Sequence, residues 1–276
     1  MKRLVVLFFV ALFVVVASYS AQAATFSLVD TWGGSVWDAN KTQANTDDDL
    51  MCWAAAVSNM LTWTNWSAPY ASNNSDAVFS YYQSQFTDVG GNMYIGADWW
   101  FDGTNNKQGV SGWSQDEDPN DGGGGFYPSL DIDAYYSFFS MNSYESDGKT
   151  LYYNDPNMAM NTVASYMGSG MSVGLGLGGS GSHAVTAWGY SMDDTGLFSK
   201  LFISDSDDGE TGLMEYTLTL LASGYWELTG YGSEGDSWYI TEVHGLAANP
   251  TPIPGAIWLL GSGLLGLAGI RRRFLA

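Results

Sequence analysis

The chain carries an uncharged apolar run near each end, and these two runs confine the folding domain to the residues between them. Two basic residues precede the first run, residues 4–17, and three arginines follow the second, residues 256–270. The interval is roughly 225 residues, enough for one large domain or two small ones, and no linker composition divides it. We therefore predict one domain, residues 24–250.

The N-terminal segment has the pattern of a secretory signal peptide. Its basic start and apolar run lead into Ala21-Gln22-Ala23, a small-residue sequence typical of a cleavage site. We predict that residues 1–23 are a signal peptide and that the mature protein is exported.

The C-terminal segment, residues 251–276, has the order of a second sorting signal. Pro252 and Pro254 precede the apolar run, and the arginine cluster follows it. At about 16 residues the run is short for a full membrane span, which favours transient anchoring over an ordinary C-terminal anchor, the alternative. The segment resembles the PEP-CTERM sorting tails. That resemblance implies transient inner-membrane anchoring, processing by an exosortase-type enzyme, and a final location in the cell envelope or outside the cell.

The charge of the predicted mature domain restricts its partners. Four lysines, 29 acidic residues and no arginine lie between the terminal signals, which gives a net charge of −25. Such a charge argues against nucleic acid and anionic membrane surfaces as partners. Aromatic residues make up 15% of the chain and apolar residues 46%, which is enough for a packed core.

The single cysteine, Cys52, stands at the start of a predicted helix. Apolar residues recur at helical spacing from Trp53 to Leu61, and the aspartates at 47–49 are the predicted N-cap residues. The positive end of the helix dipole would then lie at the sulfur and favour the thiolate. A buried structural cysteine is the alternative. Export weakens that alternative, because an unpaired thiol in an oxidising compartment is exposed to oxidation.

The rest of the domain divides into a helical part and a strand-rich part, which predicts an α+β fold. Residues 90–125 are predicted to be surface loops, and the acidic loop 116–121 does not follow the spacing of an EF-hand calcium site. The predicted helices cover residues 52–66, 77–86 and 157–168, and the predicted strands cover 171–177, 183–190, 197–204, 214–220 and 237–246.

A predicted hairpin brings a histidine to a carboxylate. If its turn is centred on Asp194, His183 faces Asp205 across the two strands, and Asp207 projects to the same side. A carboxylate opposite a histidine fixes the tautomer of the ring and raises its basicity, as a general base requires. The other histidine, His244, has no such neighbourhood and is predicted to be structural.

These segments together resemble the IdeS/Mac-type cysteine endopeptidases. The resemblance lies in DDLMC at residues 48–52, SHAV at 182–185 and ISDSD at 203–207, in that order. It implies a papain-like fold, with a helical half that carries the cysteine packed on an antiparallel sheet half that carries the histidine and aspartate.

The resemblance also implies a role for each site residue. Cys52 is the nucleophile, His183 the base, Asp205 the orienting acid, Asp207 a supporting carboxylate, and Lys41 a contributor to the oxyanion site. The sequence departs from the family at Trp53, where the family has glycine, and in the spacing from Lys41 to Cys52. Gln43 is an alternative oxyanion donor, because a side-chain amide can donate to a developing negative charge.

The sequence thus predicts an exported cysteine endopeptidase that acts on protein or peptide substrates through a thioester acyl-enzyme. It predicts no cofactor, because one cysteine and two separated histidines offer no zinc-like cluster. The alternative is a non-catalytic surface or matrix-associated binding protein on the same scaffold. Rapid labelling of the thiol by iodoacetamide would distinguish the enzyme from the binding protein. The oligomeric state is not predicted.

Overall fold

The structure is a computed structural model that describes residues 23–41, 48–86, 88, 90–103, 123–141, 157–206 and 212–250. The helices in these ranges are α1 (Leu28–Trp32), α2 (Cys52–Trp63), α3 (Ser75–Gln85), α4 (Met93–Asp102) and α5 (Met158–Gly168), with a 3-10 helix at Ile132–Ala134. The strands are β1 (Ala24–Ser27), β2 (Tyr136–Ser140), β3 (Ser172–Gly179), β4 (Ser182–Met192), β5 (Phe198–Ser204), β6 (Met214–Leu220), β7 (Trp226–Thr229) and β8 (Trp238–Leu246).

Several sequence predictions fall outside these ranges. They are the signal peptide up to residue 22, the sorting tail 251–276, the acidic loop 116–121, Gln43 and Asp207. In the part of the chain that the structure describes, no helix is both long and apolar enough to cross a membrane.

Six strands close into an antiparallel barrel, which contradicts the predicted fold. Their order is β4-β3-β8-β7-β6-β5, and β5 pairs back onto β4 to complete the circle. β1 and β2 add to the outside of this circle by pairing with β4 and β8. The prediction of a papain-like α+β fold, a helical half packed on a sheet half, is therefore wrong. The barrel dominates the described structure, with five α-helices beside it.

The closure of the barrel depends on β4. This strand has 11 residues, which is long enough to pair with β3, β5 and β1. Its register with β5 shifts between Ala187 and Gly189 and again between Ser191 and Met192. Such bulges bend a strand and increase its twist, which is how an antiparallel sheet curls far enough to close.

The alternating sequence of β3 assigns its two faces to different environments. Val173, Leu175 and Leu177 are buried in the core cluster of the barrel. Between them, Gly174 presents a bare backbone to the helices: a Cβ built there would lie 2.6 Å from Met93 Sδ and 2.8 Å from Met60 Sδ. Because successive strand residues face opposite sides, Gly174 lies on the helix side and lets α2 and α4 approach the barrel closely.

Helix α2 is almost wholly buried between the barrel and the other helices. Its Asn59 donates from Nδ2 to Thr186 Oγ1 on β4 (3.1 Å) and accepts from the Ala39 backbone N–H at Oδ1 (2.8 Å). These buried hydrogen bonds fix the helix that begins at Cys52 against the strand that carries His183.

Helix α4 corrects the prediction that residues 90–125 are surface loops. Asn92 caps its N-terminus by accepting from the Tyr94 backbone N–H, and Gly103 ends it in a left-handed conformation with φ of 77°. Eight of its ten residues are buried, including Trp99 and Trp100. A helix buried on nearly all sides has no polar face, so its sequence lacks the amphipathic period that predicts a helix.

Candidate active site

The Cys52 side chain lies at the N-terminus of α2 and lines a crevice at the edge of the barrel. It is the one free cysteine of the chain and is partly buried. The predicted aspartate N-cap is wrong, because Met51 occupies the cap position and makes no side-chain capping bond. The first N–H groups of a helix have no intrahelical acceptor, so they form a positive end beside the sulfur.

Asp48 does not cap α2 but stabilises the turn that precedes the helix. Its backbone carbonyl accepts from the Met51 N–H (2.9 Å), and its buried carboxylate accepts from Gln83 Nε2 on α3 (2.8 Å). The turn before α2 is thus tied to α3, and this tie holds the first turn of α2 at the crevice.

The structure brings His183 and Asp205 together. His183 is the second residue of β4, and its Nε2 lies 2.8 Å from Asp205 Oδ1, directly after the end of β5. Their side chains are 10% and 5% exposed, so little water competes for this contact. Because Nε2 is committed to the carboxylate, Nδ1 remains for the Cys52 thiol.

The register that suggested this pair is nevertheless wrong. The observed β4–β5 ladder pairs Thr186 with Ser204 and Met192 with Phe198, whereas the predicted register paired Phe198 with Tyr190. Asp193 explains the difference, because its side chain accepts from the backbone N–H groups of Thr195 and Leu197 and shifts the turn toward the second strand. His183 meets Asp205 beyond the last ladder pair, where β4 and β5 no longer pair.

Two aromatic residues that the sequence reasoning missed complete the surroundings of the pair. The Tyr231 hydroxyl donates a hydrogen bond to Asp205 Oδ2. The Trp238 ring lies edge-on to the His183 ring, with centroids 6.5 Å apart, and also contacts the Tyr231 ring at 5.6 Å. The only local signal was the Gly-Tyr-Gly turn at 230–232, which does not itself indicate a partner for Asp205.

The environment of His183 favours its protonated form. Burial lowers the pKa of the imidazole, but hydrogen bonds to Asp205 and Cys52 and the charges of both groups outweigh it and raise the pKa to about 10. At neutral pH the ring is therefore an imidazolium between the Asp205 carboxylate and the Cys52 sulfur.

Of the other predicted oxyanion and supporting residues, the structure describes only Lys41. Lys41 is buried, at 2% exposure, and is absent from the described residues that line the crevice. Asp207 and the alternative donor Gln43 lie outside the described residues. The Trp53 ring packs inward edge-on against Tyr82 and is only 1% exposed, so it forms the base of the crevice wall and does not project across the opening.

The crevice is large and acidic. Its volume is about 1080 Å³. Its described lining contains four carboxylate side chains and no lysine or arginine. An open groove of this size can hold several residues of an extended polypeptide. The carboxylates are those of Asp49, Asp205, Asp236 and Glu242.

No family model matches the chain, and no curated protein matches it. Within the described ranges, no three or more His, Cys, Asp or Glu side chains cluster in a way that could hold a metal ion. The described site places an imidazole between a thiol and a carboxylate, at the edge of an open crevice.

Proposed function

We propose that the protein is an exported cysteine endopeptidase that hydrolyses peptide bonds through Cys52, His183 and Asp205. The observation that carries the proposal is the hydrogen-bonded chain from Asp205 through His183 to the thiol of Cys52, at the wall of a large crevice. A nucleophile beside a base that a third group orients is the arrangement of covalent acyl-transfer enzymes.

The chemistry proceeds in two stages. The Cys52 thiolate attacks the peptide carbonyl carbon and forms a C–S bond, and the His183 imidazolium gives its proton to the leaving amine as the C–N bond breaks. His183, now neutral, then takes a proton from water, and the resulting hydroxide attacks the thioester. The C–S bond breaks, which releases the carboxylic acid and regenerates the thiolate and imidazolium.

The negative oxygen formed in each stage needs a donor. The backbone N–H groups at the start of α2 lie beside the sulfur and supply one source. The resemblance to the IdeS/Mac-type endopeptidases implies Lys41 as a contributor, and Gln43 is the alternative because a side-chain amide can donate to the developing negative charge. Asp207 is retained as a supporting carboxylate on the strength of its place two residues after Asp205.

The order of the DDLMC, SHAV and ISDSD segments supports a relationship to the IdeS/Mac-type endopeptidases, although the fold that this resemblance implied is not the one observed. The terminal segments support export, transient anchoring and processing by an exosortase-type enzyme. These assignments rest on sequence pattern.

The test is digestion of a broad peptide library by purified wild-type protein and by Cys52→Ala. We expect peptide-bond cleavage by the wild type and none by the variant, together with rapid iodoacetamide labelling of the wild-type thiol. Equal cleavage by both proteins would show that another group is the nucleophile. No cleavage across the library, with slow labelling, would favour a non-catalytic binding protein.

A further inference from the structure

Two small residues lie side by side between His183 on strand β4 and the carboxylate of Glu242 on β8. Ala184 on β4 pairs with Gly176 on β3, and Gly176 pairs with Glu242 on β8. Directly opposed residues of neighbouring strands face the same side, and all three of these residues line the crevice. A Cβ built on Gly176 would lie 3.0 Å from both Cβ and Oε2 of Glu242. The glycine therefore keeps this part of the crevice floor open beside the carboxylate.

Glu242 is held in place by a buried pair of side chains. Its Oε2 lies 3.2 Å from His244 Nε2, and His244 Nδ1 lies 2.9 Å from the Tyr136 hydroxyl. His244 is fully buried, whereas the Glu242 side chain is 33% exposed. The buried His244 and Tyr136 side chains thus fix the position of the Glu242 carboxylate, which faces the crevice.

The direction of these hydrogen bonds follows from Tyr136. Burial, and then the charge of Glu242, raise the pKa of its hydroxyl well above the ordinary value, so it remains protonated and donates to His244 Nδ1. Nε2 of His244 then donates to Glu242, since a carboxylate oxygen accepts. The sequence prediction that His244 has no carboxylate neighbour is therefore wrong, and the ring orients the Glu242 carboxylate in the crevice.

We propose that Glu242 makes the crevice select a lysine or arginine side chain of the substrate. The basic side chain lies over Gly176 and places its cation at the Glu242 carboxylate. Ala184 follows His183 in β4, and two strand spacings, about 10 Å, separate its backbone from that of Glu242, so the selected residue lies within about three positions of the cleaved bond. This inference rests on the proposed peptidase function.

The charge of the crevice favours the same class of substrate. No lysine or arginine occurs in its described lining to neutralise Glu242, and Asp49 and Asp236 add negative charge at exposed positions. A low-dielectric groove lined by charge of one sign concentrates ligands of the opposite sign and repels those of the same sign.

The test measures binding without requiring turnover. Full-length Cys52→Ala is titrated calorimetrically with two peptides that differ only in a lysine or a norleucine at the selected position. We expect the lysine peptide to bind at least about tenfold more tightly, as a charge-assisted hydrogen bond allows. Adding Glu242→Gln keeps an oxygen for His244 but removes the charge, and we expect it to abolish the preference while the norleucine peptide binds as before.

The matched control is Glu215→Gln on the same background. Glu215 lies on β6 in an exposed ion pair with Lys200, so this change alters the net charge equally outside the crevice. We expect the lysine preference to remain. Equal binding of the two peptides to Cys52→Ala, no binding of either, or loss of the preference in the control would each overturn the inference.

Hydrolysis by the wild-type protein separates this inference from the proposed function. Cleavage without any preference for basic residues would overturn the role of Glu242 and leave the peptidase intact. A lysine preference in binding, combined with no cleavage of any library peptide, would overturn the peptidase and leave the binding site.

Discussion

A single hydroxyl, that of Tyr231, completes the hydrogen-bond chain of the candidate site. Asp205 uses one oxygen for His183 and the other for Tyr231, so both sides of the buried carboxylate are engaged. Sequence reasoning found the histidine and the aspartate because they flank one hairpin. It missed Tyr231 and Trp238, because each lies on a later turn or strand that only the pairing of distant strands brings back to the pair.

The graded loss of activity on substitution tests the roles of the three residues. Cys52→Ala and His183→Ala should each abolish turnover, and the double variant should be no worse, because groups that act as one unit are not additive. Asp205→Asn should cost about a hundredfold or more in kcat/KM, because the imidazole is no longer correctly oriented. Kinetics of the wild type and the four variants on one library-derived substrate measure these losses. Additive losses in the double variant would contradict a shared mechanism.

The Tyr231→Phe variant isolates the hydroxyl. It leaves the ring against Trp238 but removes the donor to a buried carboxylate, a hydrogen bond of the kind that contributes about 1.5–3 kcal/mol when one partner is charged. We expect kcat to fall about tenfold or more, with a smaller change in KM, because orientation of His183 is lost and the crevice keeps its shape. Tyr70→Phe is the control, since Tyr70 is 47% exposed and outside the crevice lining. An unchanged kcat in Tyr231→Phe would show that Asp205 needs no second donor.

At the level of elements, the sequence predicted the helices and strands that have a clear local pattern of apolar residues. Helices α2, α3 and α5 and five of the strands lie where period and turn residues placed them, with ends shifted by a few residues. Helix α4 was missed because it is buried on nearly all sides. Helix α1 and strands β1, β2 and β7 were missed because each has only four or five residues. The closed barrel was missed because closure depends on the bulges of β4, which a period-2 pattern does not reveal.

Gly189 tests the importance of the close contact between β4 and β1. A Cβ there would lie 2.4 Å from the backbone carbonyl oxygen of Phe26, which cannot move without displacing β1. We expect Gly189→Ala to lower the free energy of unfolding by about 1–3 kcal/mol, as overpacking does. Gly168→Ala is the control, because a Cβ built at the end of α5 meets no atom within 4 Å. Urea denaturation measures both, and equal stability of the two variants would show that β1 yields freely.

At the level of the whole molecule, the protonation of His183 couples the site to stability. The folded-state pKa, about 10, lies above the ordinary value of 6.5. Because folding raises the pKa of His183, its protonated ring stabilises the folded state fully at pH values below the pKa of the unfolded state. This contribution is lost as the pH rises through the pKa of the folded state. The loss therefore falls between about pH 6.5 and pH 10.

The comparison of wild type with His183→Gln measures this coupling directly. The free energy of unfolding is determined by urea denaturation at intervals from pH 6 to pH 10.5, and the variant is subtracted at each pH so that other titrating groups cancel. We expect the wild-type advantage to be largest near pH 6 and to shrink steadily toward pH 10, because the folded state keeps a proton that the unfolded state releases. An advantage that stays constant or grows with pH would mean that the folded His183 is not the imidazolium. The thiolate–imidazolium pair would then have no basis in this fold.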